Sequence, residues 1–156
     1  MISTTLLCIA TLFNISPQDK TLKEVDKAFK TLKLNKSSTL LIGSMIAVES
    51  RFQPEAISFA NAKGLLQLTD IGVEEVRRVN PKCVRENYNI WDSFDNIKIS
   101  TCFVDYLYDI YNNREEVLIH YNSGSRDIEK YRKGLNINYE TSNYLNKINR
   151  IINKCK

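Results

Sequence analysis

Histidine is nearly absent from this chain: His120 is the only one. The cysteines, at positions 8, 83, 102 and 155, form no Cys-x-x-Cys pair and lie away from His120 in sequence. Structural zinc sites draw on closely spaced Cys and His ligands, so this pattern argues against a zinc centre, and no metal or cofactor is expected. Strand signals are few, and no internal repeat, low-complexity stretch or long linker divides the 156 residues. A chain of that length suits one domain with a real core. Beyond the first fifteen residues no stretch is apolar enough to span a membrane. Nor does any pair of Asp or Glu residues announce the two-carboxylate arrangement that glycoside hydrolysis ordinarily uses.

What charge there is leans positive, with a formal net of +4. The excess gathers at the C-terminal end, where residues 126–156 hold eight Lys and Arg against Asp127, Glu129 and Glu140, a local net of +5. Such an end suits a polyanion: nucleic acid, a membrane surface or the anionic cell wall. Aromatic and basic residues are not interleaved as in a nucleic-acid module, so no nucleic acid is expected and the wall is favoured, beside the plain alternative of a solvated basic helix face.

Residues 1–16 are ambiguous. Leu6, Leu7, Cys8, Ile9, Ala10, Leu12 and Phe13 make a run of secretory-signal length. No Lys or Arg precedes it, and no clear small-x-small cleavage site follows. The segment reads as a degenerate signal or an apolar first helix, with the balance toward the signal, leaving 17–156 as the domain. If Cys8 leaves with a signal, three cysteines remain and one stays unpaired. Cys102 falls on an apolar stripe and reads equally as a buried hydrophobe. A disulfide among Cys83, Cys102 and Cys155 requires an oxidising compartment, and sequence does not choose the pair.

Helical periodicity dominates the rest. Leu22, Val25, Phe29 and Leu32 stand at helix spacing. Ser37-Ser38-Thr39 supplies N-cap candidates for the next helix. Ile71 to Val79 predicts a short helix halted before Pro81. Ile99, Cys102, Phe103, Tyr106, Leu107 and Ile110 form an apolar stripe with Asp95 as a plausible cap. Val117 to Tyr121 predicts a short helix ending near Gly124. Tyr144, Leu145, Ile148, Ile151 and Ile152 are the stripe of a last one. The fold class is all-α, or α+β with a minor hairpin in Ser58 to Leu68.

Glu49 stands at the polar end of the apolar run Leu40 to Val48. A carboxylate there is partly desolvated, which disfavours its charged form and raises its pKa. A carboxylic acid still protonated near neutral pH can donate a proton to a leaving group. The plainer reading is a solvated glutamate at a helix end.

Five segments in order decide between these readings. They are Glu49-Ser50-Arg51-Phe52; Ala62-Lys63-Gly64-Leu65-Leu66-Gln67; Asn89-Ile90-Trp91-Asp92 through Asp95-Asn96-Ile97; His120-Tyr121-Asn122-Ser123-Gly124; and Tyr139-Glu140-Thr141-Ser142-Asn143-Tyr144. The chain resembles the soluble lytic transglycosylase family, whose domain is lysozyme-like. The family's patterns are Glu-Ser before Phe or Trp, Gly-Leu-Met-Gln, an Asp-Leu-Phe-Asp-Pro-x-x-Asn-Ile segment before a helix, Ala-Tyr-Asn-Ala-Gly, and Glu-Thr-Arg-x-Tyr. The resemblance runs from about Leu40 to about Ile152. It implies a lysozyme-like single domain.

The resemblance also implies roles. Glu49 is the single catalytic acid and base. Ser58 lies near the substrate's acetamido group. Gly64 passes close to the sugar, and Gln67 offers both donor and acceptor to it. Leu66 stands where the family has Met and keeps the apolar bulk. Tyr121 places a hydroxyl near Glu49 or is a core aromatic. Asn122 orients the acetamido group or caps the turn at Gly124. Glu140 is either a favourable charge at a helix start or a cleft group tuning the site; Ser142 replaces the family's arginine, which puts any contact made by that arginine in doubt. Tyr144 lines the cleft or belongs to the core stripe. His120, where the family often has Ala, is read as structural.

Three functions follow. The first is a lytic transglycosylase that cleaves the β-1,4 bond between N-acetylmuramic acid and N-acetylglucosamine in peptidoglycan and leaves a 1,6-anhydro end. The second is a lysozyme-type hydrolase needing a second carboxylate, with Glu55, Asp70 and Glu140 as candidates. The third is a non-catalytic wall-binding or assembly protein. A single small domain suits local wall opening for a secretion or conjugation machine or a phage particle, in a monomer that is periplasmic, secreted or virion-associated.

Overall fold

The run that ends at Glu49 forms α3 (Lys36–Glu49), in which every residue from Thr39 to Ala47 is buried. A helix apolar on all sides must be enclosed by other elements, and α3 is the central helix of the molecule. The computed structural model describes all residues from Met1 to Lys156. Around α3 the chain builds α1 (Thr4–Leu12), α2 (Lys20–Thr31), α4 (Asp70–Val79), a 3-10 turn at Pro81–Cys83, α5 (Ser93–Tyr111), α6 (Arg114–Ser123), α7 (Arg126–Arg132) and α8 (Tyr139–Cys155). The fold is all-α and lysozyme-like. Its only extended pairing is two antiparallel bridges, Ile57 with Lys63 and Lys63 with Leu68, inside the segment where a hairpin is predicted.

The first and last helices pack on α3 together. Leu6 and Ile9 of α1 are fully buried. Gly43 admits α1 at close range: a Cβ there would stand 2.9 Å from the Ile9 Cδ1. Cys8 is bonded to Cys155, and Cys83 to Cys102. Residues 4–12 thus form an apolar first helix that contributes two core side chains and the bonding partner of Cys155. No cysteine is free, and Cys102 is a disulfide partner rather than a plain hydrophobe; its bond to Cys83 is one of the pairings that sequence left open.

Several boundaries differ from the predicted ones. Asn35, not Ser37 to Thr39, caps α3, its side chain accepting from the Ser38 amide at 2.9 Å. Asp92 caps α5, while Asp95, the predicted cap, is buried and accepts from the Arg85 guanidinium at 2.6 Å and the Asn89 amide at 2.8 Å. At both helices several short polar residues stand near the start, so their type alone does not single out the cap. Ile110 ends the α5 stripe 49% exposed. The seven-residue α7 has too short a periodic pattern to be predicted. No helix is long and apolar enough to cross a membrane.

The bond between Cys8 and Cys155 closes a separation of 147 residues. A cross-link over so long a loop constrains the unfolded chain strongly, so Cys8→Ser with Cys155→Ser is expected to lower the unfolding free energy by about 2–5 kcal/mol. Urea unfolding of the double variant against the parent checks this; an unchanged midpoint would mean that the termini are not held by this bond.

Candidate active site

Glu49 is the last residue of α3 and is partly buried. A helix C-terminus carries partial negative charge, so it gives a carboxylate no help. Beyond it Arg51 and Phe52 adopt left-handed backbone, with φ of 53° and 61°. The Phe52 side chain is buried. This turn brings residues 57–68 back past the end of α3.

That returning segment is pinned from behind. Asn96, at the start of α5 and 1% exposed, accepts from the Leu66 amide at 2.9 Å and donates to the carbonyls of Lys63 at 3.1 Å and Ile90 at 2.9 Å. Gly64, with φ +78°, lies so close that a Cβ would fall 2.3 Å from the Asn96 Nδ2. A close approach to Asn96 thus by itself requires glycine here. Leu66 is fully buried, and its carbonyl accepts from the Tyr121 hydroxyl at 2.8 Å. Gln67, held at φ 50°, donates its side-chain amide to the carbonyls of Ala56 at 3.1 Å and Gly64 at 3.0 Å. Its amide nitrogen is thus used internally, and its amide oxygen remains for a ligand.

The result is a cleft of about 420 Å³ lined by Glu49, Ser58, Gln67, Asn122, Glu140 and Tyr144, together with Val48, Tyr139, Asn143 and Lys147. Six of the nine sequence-predicted residues meet here. Gly64, Leu66 and Tyr121 do not line it; they form the layer that holds its wall. Asn122 accepts from the Thr141 hydroxyl at 2.8 Å, which ties α6 to α8 across the cleft floor. Asn96 and Thr141 were assigned no role from sequence although both stand inside the motif segments. Tyr139, Asn143 and Lys147 were missed as well, and their four-residue spacing on α8 was the available signal. His120 lies outside the cleft, with its Nδ1 2.7 Å from the Tyr111 hydroxyl and its ring edge-on to Phe103. Glu55 and Asp70 are exposed outside it, and Asp70 pairs with Lys63 at 3.1 Å.

Burial pushes the Glu49 carboxyl up to about 7, with a further rise from the Glu140 charge, against the opposing effect of the Tyr144 hydroxyl. That hydroxyl is buried and has no well-formed hydrogen bond of its own. Burial and the neighbouring Glu49 charge hold both Tyr121 and Tyr144 above the ordinary phenol range, so both remain protonated. A carboxyl with a pKa near neutrality can deliver a proton and take one back in the same cycle. No group of three or more His, Cys, Asp or Glu side chains stands together to hold a metal ion.

The family model described as the Transglycosylase SLT domain matches residues 27–144. The chain belongs to that family. The match starts within α2, earlier than the motif resemblance, and ends at Tyr144 in the cleft. No curated protein matches the chain. For the SLT domain, membership implies glycosidic bond cleavage in peptidoglycan by transglycosylation.

Two outcomes follow from this geometry. Because the folded pKa of Glu49 lies above its ordinary 4.5, the protonated form favours folding. That contribution is complete below about pH 4.5 and is lost as pH rises through about 7. Glu49→Gln is therefore expected to match the parent in stability at pH 4 and to exceed it by about 3 kcal/mol at pH 8, read by urea unfolding at both pH values. Asn96→Ala removes three buried hydrogen bonds and is expected to cost roughly 3 kcal/mol. Hydrogen exchange at the Leu66 amide should accelerate with it, and unchanged protection there would show that Asn96 does not pin the wall.

Proposed function

We propose that the protein is a peptidoglycan lytic transglycosylase in which Glu49 alone serves as acid and base, cutting the β-1,4 bond between N-acetylmuramic acid and N-acetylglucosamine. The observation that carries this reading is that one of the two carboxyls lining a polar cleft in an SLT domain, Glu49, is raised to about 7. Glu49 first protonates the glycosidic oxygen as the bond from that oxygen to the muramic C1 breaks. The substrate's own 2-acetamido oxygen closes on C1 and shares the positive charge. The Glu49 carboxylate then takes the proton from O6 of the same sugar, O6 bonds to C1, and the acetamido oxygen departs. The products are a free 4-hydroxyl on N-acetylglucosamine and a 1,6-anhydro ring, and Glu49 is again protonated. Holding O6 beside C1 replaces a bimolecular attack by water with an intramolecular one.

In this reading Asn122, Ser58 and the Gln67 amide oxygen face the acetamido and hydroxyl groups, while burial, with a smaller contribution from Glu140, favours the protonated form of Glu49. Glu140 also favours a second reading, since it is another carboxyl in the same cleft. A lysozyme-type hydrolase would use it to position water. A non-catalytic wall-binding protein is the third reading, and the raised Glu49 supports it least. The two disulfides support an oxidising setting, periplasmic, secreted or on a virion. A monomer opening the wall locally for a secretion or conjugation machine or a phage particle fits that setting.

Mass spectrometry of products released from peptidoglycan tests the reaction. Muropeptides lighter than the hydrolytic product by about one water are expected from the parent. With Glu49→Gln, release should fall by about 10²–10⁴-fold. Activity should decline as pH rises through about 7, where the acid form is lost. Full-mass reducing ends that vanish with Glu140→Gln would move the assignment to a hydrolase.

A further inference from the structure

Beside the reaction cleft lies a second depression of about 410 Å³, where the ends of α1, α3 and α8 meet. Val48 and Lys147 line both, so the two adjoin. The second has an apolar floor that includes Leu12 and Val48, and its rim carries Arg51, Lys147, Arg150 and Lys154. No acidic residue lines it. The ion pairs of this protein engage other cations throughout, so these four meet no carboxylate at ion-pair distance. Lys147, Arg150 and Lys154 repeat at helical spacing along one face of α8. Three helix C-termini converge here, and each carries roughly −0.5 of an elementary charge. Together they offset less than half of the four positive charges.

An uncompensated cationic pocket that adjoins the cleft proposed to take the glycan calls for an anionic substituent of that same glycan. We propose that this pocket binds the carboxylate-bearing peptide attached to the muramic acid residue, so that the enzyme reads the peptide as well as the sugar. The proposal rests on the peptidoglycan reading given above. The apolar floor suits short aliphatic side chains, and the rim suits free carboxylates, with Arg able to engage one of them through two parallel N–H donors.

Binding to the Glu49→Gln protein separates this proposal from catalysis. A soluble disaccharide that carries its peptide and the same disaccharide without peptide are titrated in turn by calorimetry. The peptide-bearing ligand is expected to bind about tenfold more tightly. Adding Arg150→Gln and Lys154→Gln should abolish the difference and leave the affinity of the peptide-free sugar unchanged. Both residues are exposed, and circular dichroism verifies that the fold is retained. Equal affinity for the two ligands, or a difference that survives both substitutions, overturns the proposal. So does capture by phosphatidylglycerol vesicles that depends on Arg150 and Lys154 without any preference for the peptide, which would assign the pocket to a membrane surface. Turnover of peptidoglycan by the parent protein is read separately. Its failure with peptide-dependent binding intact would count against the transglycosylase reading alone.

Discussion

Desolvation at the end of α3 is the constraint on which the site depends. The helix is buried on every side from Thr39 to Ala47, and Glu49 is the polar side chain with which it leaves the core. The same apolar surroundings that stabilise the fold disfavour the carboxylate. The folded protein thus gives up stability at neutral pH to hold one carboxyl near its protonation midpoint. Glu140 strengthens the effect, and the Tyr144 hydroxyl limits it. The chemistry and the core are therefore parts of one arrangement.

The cleft wall is held by side chains that do not themselves line it. Asn96 gathers the Lys63, Leu66 and Ile90 backbone, Tyr121 holds the Leu66 carbonyl, and Thr141 holds Asn122. Each of these buried polar groups satisfies backbone or amide partners that would otherwise be costly to bury. With their partners held, Ser58, Gln67 and Asn122 present defined polar atoms to a ligand. The disulfide between Cys8 and Cys155 performs a similar task at larger scale, drawing α1 and α8 together beside α3.

Much of this was legible in the sequence, for identifiable reasons. The long apolar run before Glu49 and the stripes of α2, α5 and α8 follow from helical periodicity, which depends only on local spacing. The motif segments indicated Glu49, Gln67, Asn122, Glu140 and Tyr144, and these do meet in one cleft. The roles of Gly64, Leu66 and Tyr121 were less legible. Their residue types suit either a ligand contact or a packed wall, and their contacts with Asn96 and between Tyr121 and Leu66 arise only in the folded chain. The caps at Asn35 and Asp92 were obscured by equivalent polar neighbours.

Sequence by itself determined the helical class, the place of Glu49 at the edge of the core and the family to which the chain belongs, because periodicity and ordered motifs are properties of the linear chain. Tertiary structure alone decided that Cys8 pairs with Cys155 and Cys83 with Cys102, that the first residues pack as a core helix, and that Glu140 stands close enough to raise Glu49. It also decided that Arg51 joins the basic face of α8 beside the cleft. Those outcomes depend on distances between segments remote in sequence, and burial and charge act through space rather than along the chain.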